Sequence, residues 1–334
     1  MNFTRRSLVL GAISAPTAGP ITLPLVNQAL AEGQTANWPS GIIKIIVPFP
    51  PGGSVDPIAR MAQPGLQQKL GATIVIENRP GSSGSLGTGL VAKSPPDGNT
   101  WLFVFDSHAV NPFLLDLDFD TVKDLTPVML IGTAPNVLAT HPSRPYKTFA
   151  DVVAAAKAKP DTITYATIGS GSVGHLTMML LSERAGCKLV HVPYRGGGPA
   201  MNDALAGHVD LIIGSAALVM PQVTAKSIVP LLQTGKTRIS TLSAVPTAIE
   251  SGFAGFESYA WWGVFAPAGT PKPIVERFAA ALGDSLRDPK VSKLLTESLQ
   301  ITLRLGSPQE EANFLSEQMA LWGPVVKENN VKSD

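Results

Sequence analysis

The sequence predicts an α/β protein with largely parallel sheets and helices on both sheet faces. A β-branched apolar run at 42–47 is typical of a fully buried strand. Strand-like and helix-like segments alternate along the rest of the chain, a pattern that favours parallel strands joined by helices. The length of 334 residues, with 44% hydrophobic and 15% charged residues, suffices for one large or two ordinary domains.

The individual elements follow from local signals. We predict strands at 42–47, 73–77, 101–105, 137–140, 163–167, 189–192, 210–213, 228–233 and 259–267. Helices are predicted after the glycine pair at 52–53, at 86–93, after the glycine-serine loop at 169–172, and between Gly198 and Gly207. Capping-box patterns at 148–151 and 307–310 each predict one more helix start.

Composition limits the class of protein. The net charge is +1, basic residues form no block and aromatic residues are 6% of the chain, so nothing indicates binding to nucleic acid or to an anionic membrane. Cys187 is the single cysteine, which rules out an intramolecular disulfide. We interpret it as a small buried residue that fills space.

The amino terminus predicts export. An arginine pair at 5–6 precedes an apolar stretch that ends in Ala-Leu-Ala at 29–31, which is typical of a signal peptide cleaved near Ala31. We therefore expect residues 1–31 to be removed and the mature chain to be periplasmic. Residues 4–8 resemble a twin-arginine signal, and the general secretory route stays open. The alternative is an uncleaved anchor, but three prolines between 16 and 24 interrupt the roughly 20 apolar residues that a span needs.

Four loops share one design in which a strand ends and small residues lead into a helix. They lie at 50–56, 78–85, 168–175 and 194–200. In a parallel sheet such loops gather at the carboxyl edge, where free backbone N–H groups at helix starts favour an anion. The alternative for any single loop is that its glycines only allow close packing of helix on strand.

Residues 169–174 spell Gly-Ser-Gly-Ser-Val-Gly, which matches the glycine pattern of dinucleotide-binding loops. That pattern also needs an acidic residue after the next strand to hold a ribose, and 192–195 contains none. Arg195 could meet a 2′-phosphate instead, which leaves an NADP-dependent oxidoreductase as an alternative.

Catalytic and metal-binding patterns are missing. No serine lies in the Gly-x-Ser-x-Gly pattern of hydrolases, and the five histidines have no zinc-type spacing. Asp56 and Asp106 could act as bases, although an aspartate in a first helical turn more often stabilises the helix. His175 either lines a site or caps a helix. We therefore predict no metal, no cofactor and no enzymatic activity.

The residues resemble one family along essentially the whole mature chain. The resemblance is carried by Val-Pro-Phe-Pro-Pro-Gly-Gly-Ser-Val-Asp at 47–56, Glu-Asn-Arg-Pro-Gly at 77–81, Lys-Asp-Leu-Thr-Pro-Val at 123–128, His-Val-Pro-Tyr-Arg-Gly-Gly-Gly-Pro-Ala at 191–200, Val-Pro-Thr-Ala-Ile-Glu-Ser-Gly at 245–252 and Trp-Gly-Val-Phe-Ala-Pro-Ala-Gly-Thr-Pro at 262–271. These segments resemble signatures of the Bug (TctC-like) family, the extracytoplasmic solute receptors of tripartite tricarboxylate transporters.

The resemblance implies a two-lobed fold of the type II periplasmic binding protein kind, with mixed, mostly parallel sheets and a hinge. Lobe I is expected at 32–138 plus 263–334, and lobe II at 139–262. The implied function is capture of a small carboxylate by lobe closure, by a monomer that delivers it to membrane transporter subunits or to a sensor protein. The site residues expected on this basis are Phe49, Pro51, Gly52, Gly53, Asp56, Ser83, Asp106, Ser107, His108, Ser170, Gly171, Ser172, His175, Arg195, Gly196, Gly197 and Ser215.

Three departures from the family pattern fall near the expected cleft. Residues 80–84 read Pro-Gly-Ser-Ser-Gly where the family usually has Pro-Gly-Ala-Gly-Gly. Asp106 replaces a small residue, and Gly214-Ser215-Ala216 replaces a more polar loop. The ligand therefore cannot be transferred from the family: an aromatic carboxylate is as compatible as a di- or tricarboxylate. Asp106 would repel a second carboxylate or receive a cationic group.

Overall fold

The computed structural model describes residues 37–333. Its strands are β1 (Ile43–Val47), β2 (Ile74–Asn78), β3 (Thr100–Phe105), β4 (Leu125–Thr140), β5 (Thr164–Thr167), β6 (Val190–Pro193), β7 (Leu211–Ser215), β8 (Val229–Gln233), β9 (Tyr259–Pro267) and β10 (Thr302–Leu303). Its α-helices are α1 (Val55–Leu70), α2 (Ser85–Ala92), α3 (Phe149–Ala158), α4 (Val173–Ala185), α5 (Gly197–Leu205), α6 (Ala216–Thr224), α7 (Lys272–Leu286), α8 (Pro289–Lys293) and α9 (Pro308–Glu328). The predicted signal peptide lies outside the described residues.

The strands of this part of the chain form one mixed sheet in the order β2-β1-β3-β9-β4-β7-β5-β6, with β8 and β10 also paired to β4. Two parallel groups occur, with β1 between β2 and β3, and β5 between β6 and β7. Every antiparallel pairing among the described strands involves β4 or β9. The predicted α/β class with a mixed sheet is confirmed.

The long strand β4 joins two halves of the sheet. Residues 125–135 of β4 pair with β9, whereas residues 136–140 pair with β7 and β8. We call the strands around β1, β3 and β9 the first half, and those around β5, β7 and β8 the second half. The chain passes into the second half at Asn136 and returns to the first half at Tyr259.

The first part of β4 was missed by the sequence analysis, which assigned only 137–140. Pro127 interrupts the strand pattern because proline cannot donate to a ladder. In the structure it lies at a register shift between Pro127 and Met129, and such an irregularity accommodates proline.

Apolar packing covers both sheet faces. In β1, the adjacent residues Ile45 and Ile46 belong to different buried clusters because successive side chains point to opposite faces. Trp101 in β3 stacks on Phe278 in α7 with ring centroids 3.7 Å apart. Cys187 is buried in the core of the second half, as predicted.

The predicted helix starts are found. Thr148 and Asp151 form a complete capping box at α3, and Ser307 accepts a hydrogen bond from the backbone N–H of Glu310 at α9. Among residues 37–333, no helix combines the length and the apolar run required to span a membrane.

Candidate functional site

A cleft between the two halves brings the predicted loops together. The loops after β1 and β3 approach it from the first half, and those after β5, β6 and β7 approach it from the second half. The cavity at its centre is lined by Phe49, Pro50, Gly53, Ser54, Val55, Phe105, Asp106, Asn136, Ile168, Gly174, Gly197, Ile213, Gly214, Ser215 and Leu218. Five of the predicted site residues are therefore in its wall: Phe49, Gly53, Asp106, Gly197 and Ser215.

The two halves approach each other closely around this cavity. The Ser83 hydroxyl of the first half donates a hydrogen bond to the carbonyl oxygen of Ser170 in the second half, at 3.3 Å. The cavity has a volume of about 470 Å³.

Four helix N-termini converge on the cavity. Helices α1, α4, α5 and α6 begin at Val55, Val173, Gly197 and Ala216, and each has a lining residue in or directly before its first turn. A side chain caps α4, whereas α1, α5 and α6 have no side-chain hydrogen bond at the N-cap. Their first-turn N–H groups are donors for an anion in the cavity, and the helix dipoles add to the attraction.

The loop before α4 is held by its own side chains. The Ser172 hydroxyl donates to the carbonyl oxygen of Gly169 at 2.8 Å and accepts from the backbone N–H of His175 at 3.3 Å. His175 Nδ1 accepts from the backbone N–H of Gly171 at 3.1 Å, and its ring stacks on His191 at 3.8 Å. The structure thus places Ser172 and His175 behind the cavity wall, where they fix the shape of the loop.

Among the described residues that line the cavity, only Asp106 is ionisable. It directly follows β3 and is 1% exposed, and its Oδ1 has no hydrogen-bond partner among the described residues. Burial raises the pKa of this carboxyl group well above its usual value, and backbone hydrogen bonds from Val173 and Ser107 oppose that rise. Since Val173 begins α4, Asp106 reaches across the cleft.

The two residues after Asp106 have supporting positions. The Ser107 hydroxyl donates to the carbonyl oxygen of Ser83 at 2.8 Å and so braces the loop that meets Ser170. His108 is buried against Phe265 with ring centroids 4.8 Å apart, and it does not line the cavity. Burial lowers the pKa of His108 to about 3, so this ring is neutral at physiological pH.

Asp56 lies in the first turn of α1 and supports the first wall. Its carboxylate accepts hydrogen bonds from Asn78 and Arg60, both at 2.9 Å. Asn78 also donates to the carbonyl oxygen of Phe49 at 3.0 Å. Asp56 thereby positions the loop at 48–54 and does not itself line the cavity.

The remaining predicted residues lie at the rim or behind the wall. Pro51, Gly52 and Arg195 are exposed, whereas Gly171 and Gly196 are buried beside the cavity without lining it. Gly196 packs against Pro50 of the opposite half.

Sequence reasoning missed the apolar part of the wall and one polar residue. Phe105, Ile213 and Leu218 belong to or follow buried strands, and nothing in their pattern separates a cleft position from a core position. Asn136 offered a signal, because it is a lone amide in an apolar strand. It lies at the point where β4 changes partners, and it donates to the Ser258 hydroxyl at 3.4 Å, beside the second crossing.

Neither metal nor catalytic chemistry is indicated. Within residues 37–333, no three His, Cys, Asp or Glu side chains are grouped so that they could hold a metal ion. The cavity instead combines helix N-termini, hydroxyl groups and apolar side chains, an arrangement suited to binding a small polar solute.

Comparison with known proteins agrees with this interpretation. The family described as tripartite tricarboxylate transporter family receptor (TctC) matches residues 58–331, and the chain belongs to this family. The BugT protein of Bordetella pertussis is 32% identical over 338 residues, which cover 99% of each chain. A protein of Pseudomonas sp. strain P51, described by its position in the tcbD-tcbE intergenic region, is 34% identical over 94% of each chain.

Solved structures match over most of the described chain. The periplasmic binding protein BugD is 30% identical with a TM-score of 0.84 and covers 89% of this chain and 100% of its own. An R. palustris protein with adipate is 32% identical with a TM-score of 0.84, covering 88% and 99%. MatC from Rhodopseudomonas palustris with bound malate is 30% identical with a TM-score of 0.81, covering 86% and 100%.

The protein is therefore a Bug/TctC solute-binding receptor with a periplasmic-binding-protein fold, and it is not an enzyme. The oxidoreductase alternative is wrong. The glycines and serines at 169–172 form the loop that leads into α4.

Proposed function

We propose that this protein captures a small carboxylate in the cleft between its two halves. The observation that carries the proposal is the convergence of four helix N-termini on a cavity with no lysine or arginine among its described lining residues. A carboxylate there accepts hydrogen bonds from backbone N–H groups at the starts of α1, α5 and α6. The adipate and malate bound to two related structures are small carboxylates as well.

Binding proceeds by closure of two lobes. Residues 37–135 with 259–333 form one lobe, and residues 136–258 form the other. A solute that touches both walls stabilises the closed form, because those contacts exist only after closure. The hinge lies at the two crossings, where Asn136 and Ser258 meet and Thr177 donates to the Ser258 hydroxyl at 2.8 Å.

The protein acts outside the cytoplasm. The amino-terminal pattern at 1–31 supports export, and the resemblance to periplasmic binding proteins supports the same compartment. The closed form delivers the solute to the membrane subunits of a transporter. A sensor protein that recognises the same closed form is the second candidate partner.

A thermal-shift screen of the purified mature protein tests this function. The panel contains di- and tricarboxylates, aromatic carboxylates, amino acids and NADP, with the amide of each acid as an uncharged control. A solute at 100 times its Kd should add about 2.7 kcal/mol to the free energy of unfolding. We expect shifts from carboxylates and none from the amides. A shift from NADP alone, or equal shifts from acids and amides, would overturn the proposal.

A further inference from the structure

We propose that Asp106 makes this receptor select carboxylates that also carry an ammonium group, so that the carboxylate end binds at the helix N-termini and the ammonium end pairs with Asp106. This inference rests on the proposed function and names the class of solute within it. It is carried by a buried acceptor that faces the cavity and by the lack of a lysine or arginine among the described residues of the wall.

Asp106 is a buried hydrogen-bond acceptor in the wall of the cavity. Asp106 is 1% exposed and lines the cavity, and its Oδ1 has no hydrogen-bond partner in the described structure. Burial of this oxygen without a partner favours the protonated form of Asp106, and a cationic donor supplied by the solute would stabilise the carboxylate form instead. An ammonium group has three N–H donors and a positive charge, which makes it the best match for this oxygen.

The charge balance of the cavity favours a solute that carries a cationic group. Asp106 is the only ionisable group among the described lining residues, and the helix N-termini provide partial positive charge around it. A plain dicarboxylate would bring two negative charges beside Asp106 with no side-chain cation to balance them. A solute with one ammonium group pairs with the carboxylate form of Asp106 and leaves its own carboxylate for the backbone N–H groups.

The wall offers different binding groups to the two ends of such a solute. Asp106 already takes a hydrogen bond from the N–H of Val173, at the start of α4. The starts of α1, α5 and α6 remain for the solute carboxylate. Ser215, at the start of α6, is 2% exposed and its hydroxyl has no partner among the described residues. The acceptor for the ammonium end therefore lies directly after β3 in the first half, whereas this hydroxyl, a donor for the carboxylate end, lies on the opposite half.

Matched solute pairs test the inference by titration calorimetry on the purified receptor. The pairs are succinate with aspartate, glutarate with glutamate, and 3-phenylpropanoate with phenylalanine, which differ within each pair by one ammonium group. We expect the amino member of at least one pair to bind about tenfold or more tightly than its partner, as a charge-assisted hydrogen bond implies.

The variant Asp106→Asn keeps the side-chain shape and removes the charge. We expect it to abolish the preference within the pair, with plain carboxylates bound as well as before or better. Asp106→Ser is the second variant, and it places at this position a small residue, as in the family pattern. Asp284→Asn, an exposed acid on α7 that does not line the cavity, is the matched control and should keep the wild-type preference.

The outcomes separate this inference from the proposed function. Equal binding of both members of every pair, or a preference that survives Asp106→Asn, overturns the inference and leaves carboxylate capture standing. No binding by any of these solutes contradicts both.

Discussion

Gly198 packs against Pro51 across the cleft so closely that a Cβ atom on residue 198 would lie 2.7 Å from the Pro51 carbonyl oxygen. Gly198 belongs to the first turn of α5 in the second half, and Pro51 lies in the loop after β1 in the first half. The contact exists only while the two halves are together. A methyl group added at residue 198 should therefore affect the closure of the two halves and leave each half by itself unchanged.

We predict that Gly198→Ala weakens solute binding without lowering stability. The added methyl group strains the closed form by about 1–3 kcal/mol, the usual cost of overpacking. When the halves separate, the contact with Pro51 is lost, and alanine favours the helix over glycine. Calorimetric titration with a solute from the screen measures the affinity, and thermal unfolding without solute measures stability.

Gly41→Ala is the control for this variant, since a Cβ at residue 41 would meet nothing within 4 Å. It should leave affinity unchanged. Full affinity in Gly198→Ala would show that the halves do not close at this contact when solute binds.

Ser172→Ala should lower the free energy of unfolding by about 1 kcal/mol, the typical value of an N-cap. The hydroxyl is engaged within its own loop, with Gly169 and with the N–H of His175. Ser172→Thr retains the capping oxygen and should recover most of the loss in a urea titration. If the alanine variant proves as stable as wild type, the hydroxyl does not cap α4.

Glu311 should make the protein less stable as pH rises. Its side chain in α9 is 0% exposed and neither oxygen has a partner among the described residues, so burial raises the pKa of the carboxyl group well above its usual value. The folded protein thus holds this proton more tightly than the unfolded chain does. The contribution of protonated Glu311 to the free energy of unfolding is complete below the unfolded pKa of 4.5. It is lost as pH rises toward the higher pKa of the folded state.

Glu311→Gln removes that dependence, and its advantage in thermal stability over wild type should grow between about pH 5 and pH 8. Glu317→Gln is the matched control, an exposed residue of the same helix. A constant difference between Glu311→Gln and wild type across this range would mean that Glu311 does not titrate differently in the folded state.

His108 and His191 should make the protein sensitive to acid. Burial lowers the pKa of each to about 3, and the nearby His175 adds to the effect at His191. The unfolded chain takes up these protons near pH 6.5 and the folded protein does not, so stability falls as pH drops from 6.5 toward 3.

His191→Gln should reduce the slope of the unfolding free energy against pH below pH 6.5. The reduction corresponds to at most one bound proton and is measured by urea unfolding at a series of pH values. The exposed His208→Gln is its control. An unchanged slope in His191→Gln would assign the acid sensitivity to other groups.

Sequence patterns located most elements and the general position of the cleft. Strand β9 was predicted with its bounds, and the loops at 50–56, 168–175 and 194–200 meet as expected. Strand ends and glycine-rich turns are local features, so they can be recognised without knowledge of tertiary contacts.

Tertiary contacts explain what the sequence could not supply. Asp56 was expected in the site on the basis of the family resemblance, and its hydrogen bonds go to Asn78 and Arg60. Leu218 lines the cavity because α6 places it against Gly197, which belongs to a different helix. The register of β4, which sets the crossing point at Asn136, depends on partner strands far away in the chain.

The most direct test of carboxylate capture is a crystal structure of the receptor with the tightest-binding solute from the screen. The account predicts the solute between the two halves, with its carboxylate oxygens accepting hydrogen bonds from backbone N–H groups at the starts of α1, α5 and α6. A solute bound elsewhere, such as the apolar groove between α9 and residues 121–127, would contradict it. A carboxylate held in the cleft by a lysine or arginine side chain would contradict it too.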